Sequence, residues 1–144
     1  MHGRLRSSGG FSLLELLIVV GIILVIATMA IPSLLRSRQT ANENAAVATL
    51  RTISNAEASY VSSGGSYGSV SQLIGQQLLD DRFNGAVGGY LYSIAAGPYE
   101  YSVIATPVSP NTGRYGYYMV TDGVIRYSTF LTMAPNGRAG NAVN

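Results

Sequence analysis

The 144-residue chain has no cysteine, no tryptophan and a single histidine, His2. It has no lysine either, so all nine of its basic residues are arginine. Without cysteine there is no disulfide framework and no thiolate chemistry. With its one histidine two residues from the start, the rest of the chain lacks the commonest general base and metal ligand. Charge of both signs is scarce: 11% of residues are charged, against about 25% in an ordinary soluble domain. Such a deficit fits a chain that spends part of its length in lipid or in a packed assembly. The pI near 9.0 overstates its basicity. Arg4 and Arg6 lie in the first ten residues, and the other seven arginines equal the seven acids in number. The arginines form no stripe with the aromatic residues, so no nucleic-acid partner is readable.

What is present in excess is a long apolar run. FSLLELLIVVGIILVIATMAI, from Phe11 to Ile31, carries one charge, Glu15. As a helix it spans about 31 Å, enough to cross the hydrocarbon core of a bilayer. A secretory signal peptide has a shorter apolar region and a small-residue cleavage site, for which Thr28-Met29-Ala30 is the nearest candidate. A plain single-pass anchor has the right length. Neither accounts for Glu15. A carboxylate at a bilayer centre costs at least about 2.5 kcal/mol; near one end of the span it can snorkel to the headgroups and have no further role. A cut between Gly10 and Phe11 gives it a partner, because it creates an α-amine at Phe11. Phe11 and Glu15 stand at i and i+4 on one helical face. The new amine sits at a helix N-terminus, where a carboxylate is favoured. In parallel helices the amine of the next subunit serves equally well.

The succession of Arg4-Leu5-Arg6, Gly10-Phe11-Ser12-Leu13-Leu14-Glu15 and a long apolar span resembles the class III signal of type IV prepilins and pseudopilins. It covers roughly the first third of the chain, from Met1 to about Arg51. The resemblance implies cleavage by a membrane prepilin peptidase at Gly10–Phe11, N-methylation of Phe11, and an assembly role for the Glu15 carboxylate. It implies membrane lipid as the surroundings before assembly and copies of the same chain in a helical filament afterwards. An assembly machinery in the bacterial inner membrane would handle the single-pass precursor, and the product is an extracellular pilus or a periplasmic pseudopilus. Arg36 and Arg38 beyond the span balance Arg4 and Arg6 before it, so the positive-inside rule does not set the orientation.

Beyond Ile31 the helical pattern continues, with Pro32 as the expected kink or local break. No Gly or Pro interrupts residues 33–63. Val47, Leu50, Ser54, Ala58 and Val61 form a stripe at helical spacing, widened by Ile53 and Ala46. It is too short and alanine-rich for a coiled coil. SGGSYG from Ser63 to Gly68 is loop-like, and Ser69-Val70-Ser71-Gln72 supplies a capping box for a short helix to about Leu79. Four segments rich in tyrosine and β-branched residues follow, at 89–95, 99–106, 114–121 and 124–128. Gly97-Pro98 and Asp122-Gly123 give tight connections, and the connection from Pro107 to Gly113 is longer and expected to be exposed.

The tests for chemistry fail. Asp80 and Asp81 are adjacent and point apart in a regular element. A calcium site among Asp80, Asp81, Glu100 and Asp122 lacks the spaced run of ligands such a loop needs. No phosphate loop, zinc spacing or Ser/His/Asp constellation is present. Six of the ten tyrosines fall in the alternating pairs Tyr90/Tyr92, Tyr99/Tyr101 and Tyr115/Tyr117, a pattern suited to cross-strand packing more than to a binding patch or electron conduction.

The expectation is an α+β pilin fold. Residues 1–10 are a cleaved leader and 11–32 the transmembrane and filament-core helix. Residues 33–144 form a globular part: helix to about 62, loop and short helix at 63–88, antiparallel sheet at 89–128, tail at 129–144. No enzyme activity, cofactor or metal is expected. The function implied is a structural subunit of a type IV pilus. The alternatives are a pseudopilin of a type II secretion system and a membrane-tethered binding domain that never polymerises.

Overall fold

The computed structural model describes residues 10–128, 135 and 138–143. The arginines of the leader, and most of the tail between strands β4 and β5 below, lie outside the described residues. The chain divides into two compact units, Met1–Leu35 and Arg36–Asn144. Helix α1, Leu13–Gly64, runs through the boundary and keeps its helical assignment across Pro32.

In the first unit every residue of α1 but Ala27 is exposed, including Leu13, Ile23, Val25 and Ile31. Its most apolar 18-residue window has a mean hydropathy of 2.8 and is 0% buried. In the second unit α1 buries one side only. The buried positions are Glu43, Ala46, Leu50, Ile53, Ala56 and Glu57, an i, i+3, i+4, i+7 progression. The expected stripe needs correcting: Leu50, Ile53 and Ala46 are at its centre, but Ala58 is exposed and Ser54 and Val61 are half-buried. A pattern drawn through apolar letters skips the two glutamates that complete the face. Gly65, at φ +73°, ends the helix, its N–H donating to Val61 O at 2.8 Å; only glycine takes that conformation without strain.

The connection to the sheet holds helix α2, Val70–Gly75, and a 3-10 turn, Asp81–Asn84. Ser69 caps α2, and Gln72 Oε1 accepts the Ser69 N–H at 2.8 Å as a capping box requires. The helix stops at Gly75 and does not reach Leu79. Gln77 takes φ +57°, and the Leu78 and Leu79 amides both turn back onto Leu73 O. That turn drives Leu79 and Phe83 into the core beside Leu73.

Five antiparallel strands follow in the order β1-β2-β3-β4-β5: Tyr90–Ala96, Tyr101–Pro107, Gly116–Val120, Arg126–Ser128 and Asn141–Ala142. The expected meander is there, with one strand more. The tail returns to pair Asn141 with Tyr127 and Ala142 with Arg126. Tyr90, Tyr92, Tyr101, Val103, Ala105, Tyr117 and Met119 face inward and are buried in one core with Leu50 and Ile53, each large apolar side chain contributing about 1.5–3 kcal/mol. Leu91, Ser93, Ser102, Ile104 and Tyr118 face outward. The tyrosine pairs are chiefly packing: Tyr90 stacks against Tyr117 at 5.9 Å between ring centroids and Tyr115 against Tyr127 at 5.2 Å, whereas Tyr99 is 91% exposed in the turn after β1.

Candidate functional site

The candidate site is the start of α1. Gly10 and Phe11 precede the helix outside any regular element and are exposed, Phe11 80% accessible. Leu13 is the first helical residue, so Ser12 occupies the N-cap position, and its carbonyl accepts the Leu16 N–H at 3.2 Å. Glu15 falls in the first helical turn. Ser12-Leu13-Leu14-Glu15 has the S-x-x-E spacing of a capping box, and a carboxylate at this place is favoured by the partial positive charge of the helix end. A new amine at Phe11 would add a full charge to that same end. The Gly10–Phe11 bond is thus open to a peptidase, and Glu15 lies one turn beyond it. Pro32 lies within α1, where its nitrogen cannot donate to the Thr28 carbonyl. The Thr28 hydroxyl donates to Val25 O at 2.7 Å, a second competitor for carbonyls in this turn.

In the second unit the structure brings together polar residues that no motif had signalled. The connection between β2 and β3, expected to be exposed over Pro107 to Gly113, keeps Val108, Pro110 and Asn111 at the surface while it is tied to α1 by hydrogen bonds. Gln39 Nε2 donates to Pro110 O and Asn42 Nδ2 to Thr112 O, both at 2.8 Å. Glu43 accepts the Arg114 N–H at 2.8 Å and both arms of its guanidinium at 3.0 and 2.8 Å. Hydrogen bonding to Glu43 holds the Arg114 guanidinium above its ordinary pKa. Gly113 is needed beneath this clamp: a Cβ there would fall on the Tyr90 hydroxyl and 2.6 Å from its Cζ. Sequence spacing holds no trace of the pair, because Glu43 and Arg114 are 71 residues apart.

The four acids weighed for calcium do not converge. Asp80 is 3.7 Å from Arg82 Nε. Asp122 lies in the β3–β4 turn, where it accepts the Val124 N–H at 2.9 Å and pairs with Arg126 at 2.8 Å. The Arg126 bond, the largest influence, pulls the Asp122 carboxyl below its usual value. Glu100 is exposed in the turn after β1. Among the described residues no group of three metal-ligating side chains occurs.

With this geometry in view, the comparisons are specific about the first unit. Residues 5–31 match the family described as the prokaryotic N-terminal methylation motif. That span includes the Gly10–Phe11 bond and Glu15, and ends just before Pro32. The matched motif covers the start of a long apolar helix that a small antiparallel sheet follows, a pilin-like α+β arrangement. It is 46% identical over 46 residues to the type IV wide pilus major component PilA4 of Thermus thermophilus. The match covers 32% of this chain and about a third of the relative, 35% of its length. The class to which the chain is similar is structural and not enzymatic.

Proposed function

We propose that the chain is the precursor of a type IV pilus subunit, cut by a prepilin peptidase between Gly10 and Phe11 and methylated at Phe11. The first part of α1 serves as the membrane anchor and then as the filament core. The observation that carries this reading is the exposure of that segment. A run from Leu13 to Leu35 has its large apolar side chains open, while the second unit closes a core of its own without them. An apolar surface of this extent needs lipid or other protein against it. A helix bathed in lipid before assembly and packed on copies of itself afterwards meets that need at both stages. The polymerising function, the peptidase and the inner-membrane machinery are carried over from the family that the signal resembles. A pilus, in preference to a secretion pseudopilus, is supported by the relative's being a wide pilus major component.

The test is a change at Gly10. Among the described residues beyond its chain neighbours no atom lies within 4 Å of a Cβ built there, so a side chain at this position is expected to crowd the peptidase and not the fold. Gly10→Leu is expected to accumulate as uncut precursor in the membrane, with fibres lost. Normal cleavage and fibre numbers in that variant would count against processing at this bond.

A further inference from the structure

Glu57 is fully buried, with 0% relative exposure, and among the described residues no cation lies within ion-pair distance of it. Its Oε2 accepts the Gly68 N–H at 2.9 Å, while Oε1 has no hydrogen-bond partner among the described residues. A buried orphan charge costs far more than a buried orphan hydroxyl, so the site favours the neutral acid. Burial accordingly pushes the Glu57 pKa above the ordinary 4.5, against a smaller opposing pull from the Gly68 N–H.

The carboxyl fastens one segment. Between the end of α1 and Ser69 the connection is held by the Gly68 bond to Glu57 and by a longer one, 3.3 Å, from Tyr67 N–H to Gly97 O in the β1–β2 turn. Gly68 lies tightly against the Tyr60 ring: a Cβ there would be 3.0 Å from two ring carbons, so the ring would have to shift. The Tyr67 ring packs at 4.8 Å on that of Tyr101, whose hydroxyl donates to Ser54 Oγ. The titratable groups around Glu57 are therefore Tyr60 from α1, Tyr67 from the connection and Tyr101 from β2. Glu100 in the β1–β2 turn is exposed, and Asp122 in the β3–β4 turn is engaged by Arg126. Burial pushes the Tyr101 phenol above its ordinary value, further from neutrality.

We propose that Glu57 is a proton-operated latch on the connection between α1 and α2: neutral, it stays buried under Gly68, and ionised, its unpartnered Oε1 must be hydrated, which opens the segment from Gly65 to Ser69 even though the Gly68 bond itself favours the carboxylate. The folded state holds a proton that the unfolded chain gives up. The stabilisation is thus fully present below the ordinary glutamate value of 4.5 and is lost as pH rises through the raised one. Asp122, with its lowered pKa, acts in the opposite sense and only below its ordinary 3.8, so the two windows do not overlap.

The experiment follows hydrogen exchange of the Gly68 amide in the full chain in detergent micelles, from about pH 5 to about pH 8, corrected for intrinsic base catalysis. Protection is expected to fall with rising pH in the wild type and to stay level in Glu57→Gln, whose amide oxygen can still accept from Gly68. The same fall in the variant, or level protection in the wild type, overturns the latch. Should Glu57→Gln not fold, carbon NMR titration of the Glu57 carboxyl decides: a midpoint above the ordinary glutamate range supports the proposal, and one at or below it overturns it.

Discussion

At the scale of single residues, α1 carries three glutamates, and each owes its meaning to what surrounds it. Glu43 is held by Arg114, Glu57 accepts from a backbone amide, and Glu15 is exposed at the helix start. Outside a membrane Glu15 needs nothing but the helix end. Within a filament core water is excluded, and its carboxylate and the Phe11 amine would each be stranded without the other. Removing one partner of a buried pair typically costs about 3–5 kcal/mol. Bilayer insertion responds in the opposite direction, because Glu15→Ala takes a costly carboxylate out of the span. The variant is therefore expected at normal levels in the membrane, cleaved, with few or no fibres. Counting fibres by electron microscopy beside immunoblots of membrane fractions checks both halves, in cells without wild-type subunits. Wild-type fibre numbers would reduce Glu15 to a capping and snorkelling residue.

Among the elements, α1 is the one with a proline inside it. Pro32 leaves the Thr28 carbonyl without its helical donor, the Thr28 hydroxyl bonds Val25 O, and Thr28 is β-branched, so helical hydrogen bonding is poorest within a turn of Pro32. In a fibre we expect that turn to stretch or unwind, and Pro32→Ala to restore regular helix over 28–32. Density maps of both fibres would show it; an unbroken α-helix from Phe11 to Ser62 in the wild type would refute it. The elements were legible in sequence wherever one local signal dominated. The apolar run, the Ser69–Gln72 capping box and the Asp122-Gly123 turn each declare themselves within a few residues, and the structure has all three. Elements that depend on distant partners were not. Strand β5 is two residues long and exists because Tyr127 and Arg126 offer an edge. The clamp on 108–115 depends on Glu43, a charged letter that a hydrophobic stripe passes over. Glu57 was missed for the same reason, since nothing local says that the chain will fold back over it.

On the scale of the whole molecule, the two units differ in what they leave unsatisfied. The second unit has its tyrosine-rich sheet face covered and pairs Glu43 and Asp122 with arginines. The first unit offers an apolar helix with none of its most hydrophobic window buried. The matched methylation motif covers the start of that helix, and the proposed cut there would link a lipid-bound precursor to the fibre. The most direct measurement is intact-protein mass spectrometry of the subunit in fibres sheared from the cell surface. The account predicts one species that has lost Met1–Gly10, begins at Phe11 and carries a single added methyl group. A fibre fraction lacking this chain, with the protein confined to the membrane and uncut, would contradict it.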